Sequence, residues 1–193
     1  MGMVRLLDLQ LLYGVVGARE QFEKLCAQLI CSHYPTARSV RAEGGDGGVD
    51  VFVGDQADPA GITVFQVKYF PNGLKDSQKR QVRESFRHCR DNAQFGPREW
   101  ILCVPLDLSQ DEIVWFSQWS AKESPALLPP ARMDWWGETK LGHLLLQPAI
   151  SIVHQQSRSA REKGEGVEGG DETDGASTVT RWLRCQCIQA RRG

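Results

Sequence analysis

The pattern of apolar and polar positions is clearest between residues 49 and 70. Residues 49–53 are apolar and β-branched around a single acid, and residues 62–70 form a second run rich in strand-forming residues. Between them, 54–61 is dense in Gly, Asp and Pro, which favour turns. The pattern therefore predicts a β-hairpin, with Asp50 at the start of its first strand.

The rest of the chain, to about residue 147, alternates between helical and strand-like spacing. Apolar residues at helical spacing predict helices over about 18–33, over 75–92, from Ser109 onward and over 140–147. Apolar or aromatic runs predict a short strand at 39–42, a central strand at 100–105 and an edge strand at 132–136. This alternation predicts an α/β fold in which a central mixed β-sheet is flanked by α-helices.

Length and composition favour one domain, residues 1–154, followed by a tail. Residues 161–175 contain six acids and five glycines with no apolar periodicity, and residues 176–193 contain four arginines and no acid. We therefore expect residues 155–193 to be disordered, first acidic and Gly-rich and then basic.

Net charge, apolar runs and cysteine spacing indicate which partners and which cellular compartment the sequence favours. The net charge is −1, so any surface for nucleic acid must be local. No apolar run is long enough to cross a bilayer, and Asp8 and Gln10 interrupt the leucines near the N-terminus, which argues against a signal peptide. The six cysteines show no zinc-ligand spacing. We expect a cytoplasmic protein without membrane contact.

The predicted hairpin carries polar residues that an ordinary buried strand does not need. Because alternate strand residues share a face, Gln66 and Lys68 project together about 7 Å apart. Oxygens of Asp50 and Gln66, with the Val67 backbone carbonyl as a third, suit Mg²⁺, which keeps several waters. Lys68 alongside would stabilise charge on a phosphodiester. The alternative is a salt bridge between Asp50 and Lys68 that only closes the hairpin.

The first predicted helix adds a further carboxylate. Glu23 borders the apolar stripe of that helix, so its side chain can turn toward a site while the helix packs on the sheet. The alternative is a solvated Glu23 paired with Lys24 or Arg19. Glu20 is a weaker candidate for the same role.

The helix predicted over 75–92 carries a stripe of five cations at steps of four, four, four and three residues: Lys75, Lys79, Arg83, Arg87 and Arg90. Because this helix follows the candidate strand directly, the stripe suits contacts with DNA phosphates, which position a nucleic acid without reading its sequence. Lys79, Arg83 and Arg87 represent this surface. A solvated cationic face is the alternative.

Four positions together resemble a known nuclease group. The sequence GGDGGVD, which ends at Asp50, and the following QVK, which contains Gln66 and Lys68, resemble the PD-(D/E)XK superfamily and specifically its Mrr-like restriction endonucleases. In that group glutamine commonly replaces the acid of the second half-motif. A glutamate also stands in a Phe-Glu pair of the first helix, as Phe22-Glu23 does here. The resemblance covers about residues 15–150.

The resemblance implies a restriction-endonuclease-like fold and a Mg²⁺- or Mn²⁺-dependent endodeoxyribonuclease that cuts double-stranded DNA, in restriction or defence against foreign DNA. Asp50 and Gln66 would lie near the metal, Lys68 would be catalytic, and Glu23 would bind metal or orient water. A homodimer would cut both strands. Mrr-like domains commonly sit beside recognition or sensor domains, which are candidate partners.

Two other functions stay open from the sequence. The neutral Gln66 binds a divalent cation less strongly than a carboxylate does, which favours a catalytically inactive nucleic-acid-binding or interaction module with the same fold. The same residues also fit a junction-resolving or RNA-directed nuclease, because they do not separate these substrates.

Overall fold

The computed structural model describes residues 5–40, 49–92 and 94–147. The expected tail, 155–193, and the glycine-rich segment before Asp50 lie outside these ranges. Among the described helices, none has the length and apolar character required to cross a membrane.

The predicted helices and strands are confirmed to within a few residues, except at the start of the first helix. The helices are α1 (Asp8–His33), α2 (Asp76–Asp91), α3 (Gln110–Glu123) and α4 (Glu138–Leu146), with a short 3-10 turn at Ser124–Ala126. The strands are β1 (Ala37–Ser39), β2 (Val51–Val53), β3 (Ile62–Val67), β4 (Pro97–Cys103) and β5 (Arg132–Trp136).

The five strands form one mixed sheet in the order β1-β2-β3-β4-β5. Strand β2 is antiparallel to both β1 and β3, and the predicted hairpin of β2 and β3 pairs Val51 with Phe65. Strands β3, β4 and β5 are parallel, so α2 and α3 are the crossovers between them. Each parallel strand therefore ends at the same edge of the sheet, the edge at which α2 and α3 begin.

Helices cover both faces of the sheet. On one face the buried apolar cluster joins the sheet to α1 and α4 through Val51, Phe65, Val67, Ile101, Cys103, Trp136, Phe22, Leu25, Cys26, Leu141 and Leu145. On the other face it joins the sheet to α2 and α3 through Phe52, Val64, Trp100, Leu102, Val82, Phe86, Phe116 and Trp119. The predicted α/β class, with a mixed sheet between helices, is confirmed.

Helix α1 begins earlier than the apolar spacing predicts. Leu6 and Leu9 are buried in the cluster beneath α1, and this burial holds the preceding segment against the core. Gly14 has φ 66° and interrupts the helical backbone, a conformation that glycine adopts at little cost. The piece after Gly14, which carries Glu23, is the helix that the sequence predicts.

A single carboxylate connects the starts of α2 and α3. Glu112 accepts a hydrogen bond from the backbone N–H of Ser109 at 2.8 Å and another from the backbone N–H of Leu74. Partial burial by itself would raise the pKa of Glu112. The hydrogen bonds from Ser109 and Leu74, with Lys75 nearby, outweigh that effect and lower the pKa. Glu112 therefore fixes the two helix starts against each other.

We expect Glu112→Ala to lower the free energy of unfolding by about 1–3 kcal/mol, because it removes a helix cap and leaves the Leu74 N–H without its acceptor. Since the folded pKa lies below the ordinary value of 4.5, this stabilisation is present above that pH and is lost as the pH falls through the lowered pKa. Urea unfolding of wild type and variant at neutral and acidic pH measures the difference.

Asp111→Ala, at the exposed neighbouring position, serves as the control and should change stability far less. A Glu112→Ala effect that stayed constant down to acidic pH would contradict the assignment of the stabilisation to the ionised carboxylate.

Candidate active site

Asp50 directly precedes β2 and lies beside the end of β3. Its backbone is held on both sides, because the N–H of Val40 donates to its carbonyl at 2.8 Å and its own N–H donates to Phe65 at 3.3 Å. Its side-chain Oδ2 accepts the backbone N–H of Val67 at 2.6 Å and the amide Nε2 of Gln66 at 2.5 Å. The structure thus brings Asp50 together with Gln66 and Val67, through the Gln66 Nε2 and the Val67 N–H rather than through the oxygens predicted to bind a metal.

The second amide atom of Gln66 is left without a partner. The side chain is only 2% exposed, and within the described residues its Oε1 accepts no hydrogen bond. A buried polar atom normally has a protein, water or ion partner, because losing its hydration is costly. A buried acceptor beside the Asp50 carboxylate is therefore a place where a cation or a water fits.

Lys68 directly follows β3 and extends the backbone pairing of β3 with β4 by one residue. Its backbone N–H donates to the carbonyl of Cys103 at 2.9 Å, so strand alternation places Lys68 on the same side as Gln66. The side chain is half-buried and has no ion pair with any described residue. Among the described residues no ion pair within 4.0 Å joins Lys68 to Asp50, so the alternative of a salt bridge between these two is not observed.

Glu23 forms an ion pair with Arg19 one turn earlier, at 2.9 Å. The sequence left this pairing open as the alternative to a site residue. Hydrogen bonding to Glu23 is the main cause that raises the pKa of Arg19, and the charge of Asp50 adds to it. The pair is therefore near enough to Asp50 for their charges to interact, although Glu23 makes no hydrogen bond to Asp50, Gln66 or Lys68. Glu20 is exposed.

Two thiols lie beneath this charged group. Burial raises the pKa of Cys26 and of Cys103, and the negative charge of Asp50 adds to the shift in both. Because a protonated thiol is a poor metal ligand and a poor nucleophile, both cysteines act as apolar packing. The chemistry available at the site is that of oxygen atoms and the Lys68 ammonium.

This oxygen set fits a hard divalent cation. Mg²⁺ prefers carboxylate and carbonyl oxygens and keeps several waters, so it needs few protein ligands. Asp50, Gln66 and the Val67 carbonyl offer such a set, and the unpartnered Gln66 Oε1 is the observation that favours it. Within the described ranges there is no group of three or more His, Cys, Asp or Glu side chains that would suit a more demanding metal.

Tyr69, which directly follows Lys68, contacts α1. Its ring lies 5.6 Å from that of Phe22 on α1, and its hydroxyl is buried without a hydrogen-bond partner among the described residues. Burial raises its pKa. An aromatic residue directly after Lys68 was the available signal, but its contact with α1 depends on the tertiary fold.

The cationic stripe of α2 begins at the edge of the sheet where β3 ends. Lys79 and Arg83 lie over the ring of Trp115 on α3, at 5.4 Å and 5.5 Å from its centre. Arg87 is exposed, whereas Arg90 pairs with Asp91 and Glu123. The last member of the predicted stripe is therefore neutralised.

Comparisons of this chain with protein-family models, with curated proteins and with solved structures found no match.

A second carboxylate at position 66 tests whether the site accepts a cation. We expect Gln66→Glu to unfold at a lower temperature than wild type in EDTA, because two carboxylates in contact repel until one takes up a proton. Mg²⁺ or Mn²⁺ should raise the unfolding temperature of this variant more than that of wild type, because a cation between them removes the repulsion. Thermal unfolding followed by circular dichroism measures both shifts.

Gln118→Glu changes an exposed glutamine on α3 in the same way and should show no metal-dependent shift. Equal metal responses in the two variants, or none in Gln66→Glu, would argue against a cation site at Asp50.

Proposed function

We propose that this chain is a metal-dependent endonuclease with a restriction-endonuclease-like fold that hydrolyses phosphodiester bonds in double-stranded DNA. One observation carries the proposal: the Gln66 amide is held against the Asp50 carboxylate while its own oxygen is buried without a partner. A cation held by these oxygens would relieve the unsatisfied acceptor. The resemblance to Mrr-like nucleases leads independently to the same residues.

In this proposal Asp50, Gln66 and the Val67 carbonyl hold Mg²⁺ or Mn²⁺. The bound ion supplies Lewis acidity, which lowers the pKa of a coordinated water and offsets charge on the phosphate. Lys68 donates hydrogen bonds to a non-bridging phosphate oxygen as negative charge develops there. Its half-buried position without an ion pair leaves the ammonium available for that contact.

The reaction is a hydrolysis. The water oxygen bonds to phosphorus and loses a proton, the bond from phosphorus to the leaving sugar oxygen breaks, and that oxygen takes up a proton. Glu23 orients the attacking water or contributes a metal ligand from α1, with Arg19 holding its carboxylate in place. Lys79, Arg83 and Arg87 bind phosphates of the DNA beyond the cleaved bond.

The biological setting belongs to the same proposal. A role in restriction or defence against foreign DNA, in the cytoplasm, follows from the resemblance to Mrr-like enzymes. Cutting both strands calls for two copies of the site, which a homodimer would supply. A recognition or sensor domain is the partner that would direct the cleavage.

A binding module without catalysis is the second candidate, and a specific observation favours it. The Asp50 carboxylate accepts hydrogen bonds from Gln66 and Val67, which are groups of the hairpin itself. The same contacts could therefore serve only to close the hairpin edge, leaving the cations of α2 to bind nucleic acid.

Cleavage of supercoiled plasmid separates the two candidates. We expect wild type to nick or linearise the plasmid with Mg²⁺ or Mn²⁺ and to lose this activity in EDTA. Lys68→Ala should lower the rate by about a hundredfold or more, because it removes a donor to the developing charge. Lys122→Ala changes an exposed lysine at the far end of α3 and should cleave like wild type.

Equal cleavage by wild type and Lys68→Ala would rule out the assigned role of Lys68. DNA binding by a wild-type protein that does not cleave under any of these metal conditions would favour the binding module.

A further inference from the structure

A column of aromatic rings runs from the sheet to the outer side of the α2–α3 layer. Trp100 of β4 is fully buried, and Trp119 of α3 meets it edge to face at 5.8 Å. Trp115, one turn earlier on α3, stacks on Trp119 with ring centres 5.5 Å apart and planes 4° from parallel. Phe86 of α2 packs edge to face against Trp119 at 5.5 Å. The column gives Trp115 a rigid base.

Two cations of α2 lie at the outer end of this column. The Lys79 ammonium is 5.4 Å and the Arg83 guanidinium 5.5 Å from the centre of the Trp115 ring. At these distances the ring attracts a cation without neutralising its charge. Both side chains are half-buried, so Trp115 restricts two side chains that would otherwise sample many rotamers.

The charge of these cations is not balanced by neighbouring acids. Among the described residues, neither Lys79 nor Arg83 has an ion pair, and the exposed Arg87 one turn further has none either. On the same helix, Arg80 and Arg90 do pair with acids. Four cations of the stripe, Lys75, Lys79, Arg83 and Arg87, therefore have no ion pair among the described residues, and two of these four lie over Trp115.

The two helices cannot slide freely past each other at this point. Glu112, one turn before Trp115, accepts hydrogen bonds from Ser109 at the start of α3 and from Leu74 just before α2. The distance from Trp115 to the cations of α2 is therefore set by a fixed contact one turn away. This arrangement starts at the sheet edge that also holds Asp50 and Gln66.

We propose that Trp115 is a positioning residue for nucleic-acid binding, which holds Lys79 and Arg83 ready to receive backbone phosphates. The partner is the phosphate backbone of the DNA on which the proposed nuclease acts, so the inference rests on that proposed function. It adds α3 to the binding surface, which the sequence placed on α2 alone. The ring contacts one side of each cation and leaves its remaining donors for phosphate oxygens.

Positioning should strengthen binding, because a side chain that is already restricted loses less conformational entropy when the DNA binds. A long side chain that is immobilised only on binding weakens affinity by about two- to tenfold, and a chain already restricted avoids part of that loss. Trp115→Leu keeps an apolar side chain but no aromatic face, so it should weaken binding by about two- to tenfold for each cation. Trp115→Phe keeps an aromatic face and should recover most of the affinity.

Fluorescence anisotropy with a labelled DNA duplex, in EDTA and at several salt concentrations, tests this. Lys79→Gln and Arg83→Gln should each lower the slope of log affinity against log salt by about 0.9, because each removes a phosphate contact. Trp115→Leu should weaken binding with little change in slope, because the charges stay. In the Lys79→Gln/Arg83→Gln background, Trp115→Leu should have almost no further effect.

Trp135→Leu is the matched control, because Trp135 is half-buried but has no cation over its ring among the described residues. It should bind DNA like wild type. Thermal unfolding of each variant verifies that loss of binding does not reflect loss of fold. The same strand in single-stranded form, and inorganic polyphosphate, show whether the surface prefers a duplex or accepts any chain of phosphates.

Wild-type affinity in Trp115→Leu would overturn the inference, as would an equal loss in Trp115→Phe or an undiminished effect in the background without both cations. Absence of nucleic-acid binding by wild type would also overturn it. Because these measurements are made without metal, they do not depend on cleavage. A protein that binds as expected but does not cleave would contradict only the proposed catalysis.

Discussion

The carboxylate of Asp50 is the contact on which the candidate site depends. One of its oxygens accepts both the Val67 N–H and the Gln66 amide, so a single side chain fixes the end of β3 against the segment entering β2. Each donor is buried, and leaving one without an acceptor costs about 1–3 kcal/mol. The residues of the candidate site are therefore held together by the same bonds that close the hairpin.

The sheet could be predicted because its strands carry their own local signals. Alternation and turn formers specified the hairpin that brings Asp50 to β3, and the crossovers followed from helical spacing between apolar runs. The start of α1 could not be predicted, because the burial of Leu6 and Leu9 depends on the tertiary core rather than on local spacing; the Leu6 N–H, for example, donates to Glu138 of α4. Gly14 resembles a helix end in sequence, yet here it lies within a longer, interrupted helix.

The side-chain partners within the site were less accessible to sequence reasoning. A period of two places Gln66 and Lys68 on one side, but it does not say which of them meets Asp50, and the structure gives that contact to Gln66. The stripe on α2 was visible from its spacing, whereas the Trp115 ring beneath Lys79 and Arg83 depends on how α3 packs beside α2. The sequence offered both Lys24 and Arg19 as partners of Glu23, and the structure shows the pair with Arg19.

The proposed activity depends on the binding of a divalent cation between Asp50 and Gln66. Titration with Mn²⁺, followed by the electron paramagnetic resonance signal of the free ion, tests it without DNA. We expect a single site in wild type that is lost in Asp50→Ala and retained in Asp134→Ala, which changes a half-buried acid on β5. Binding unchanged in Asp50→Ala, or absent from folded wild-type protein, would contradict it.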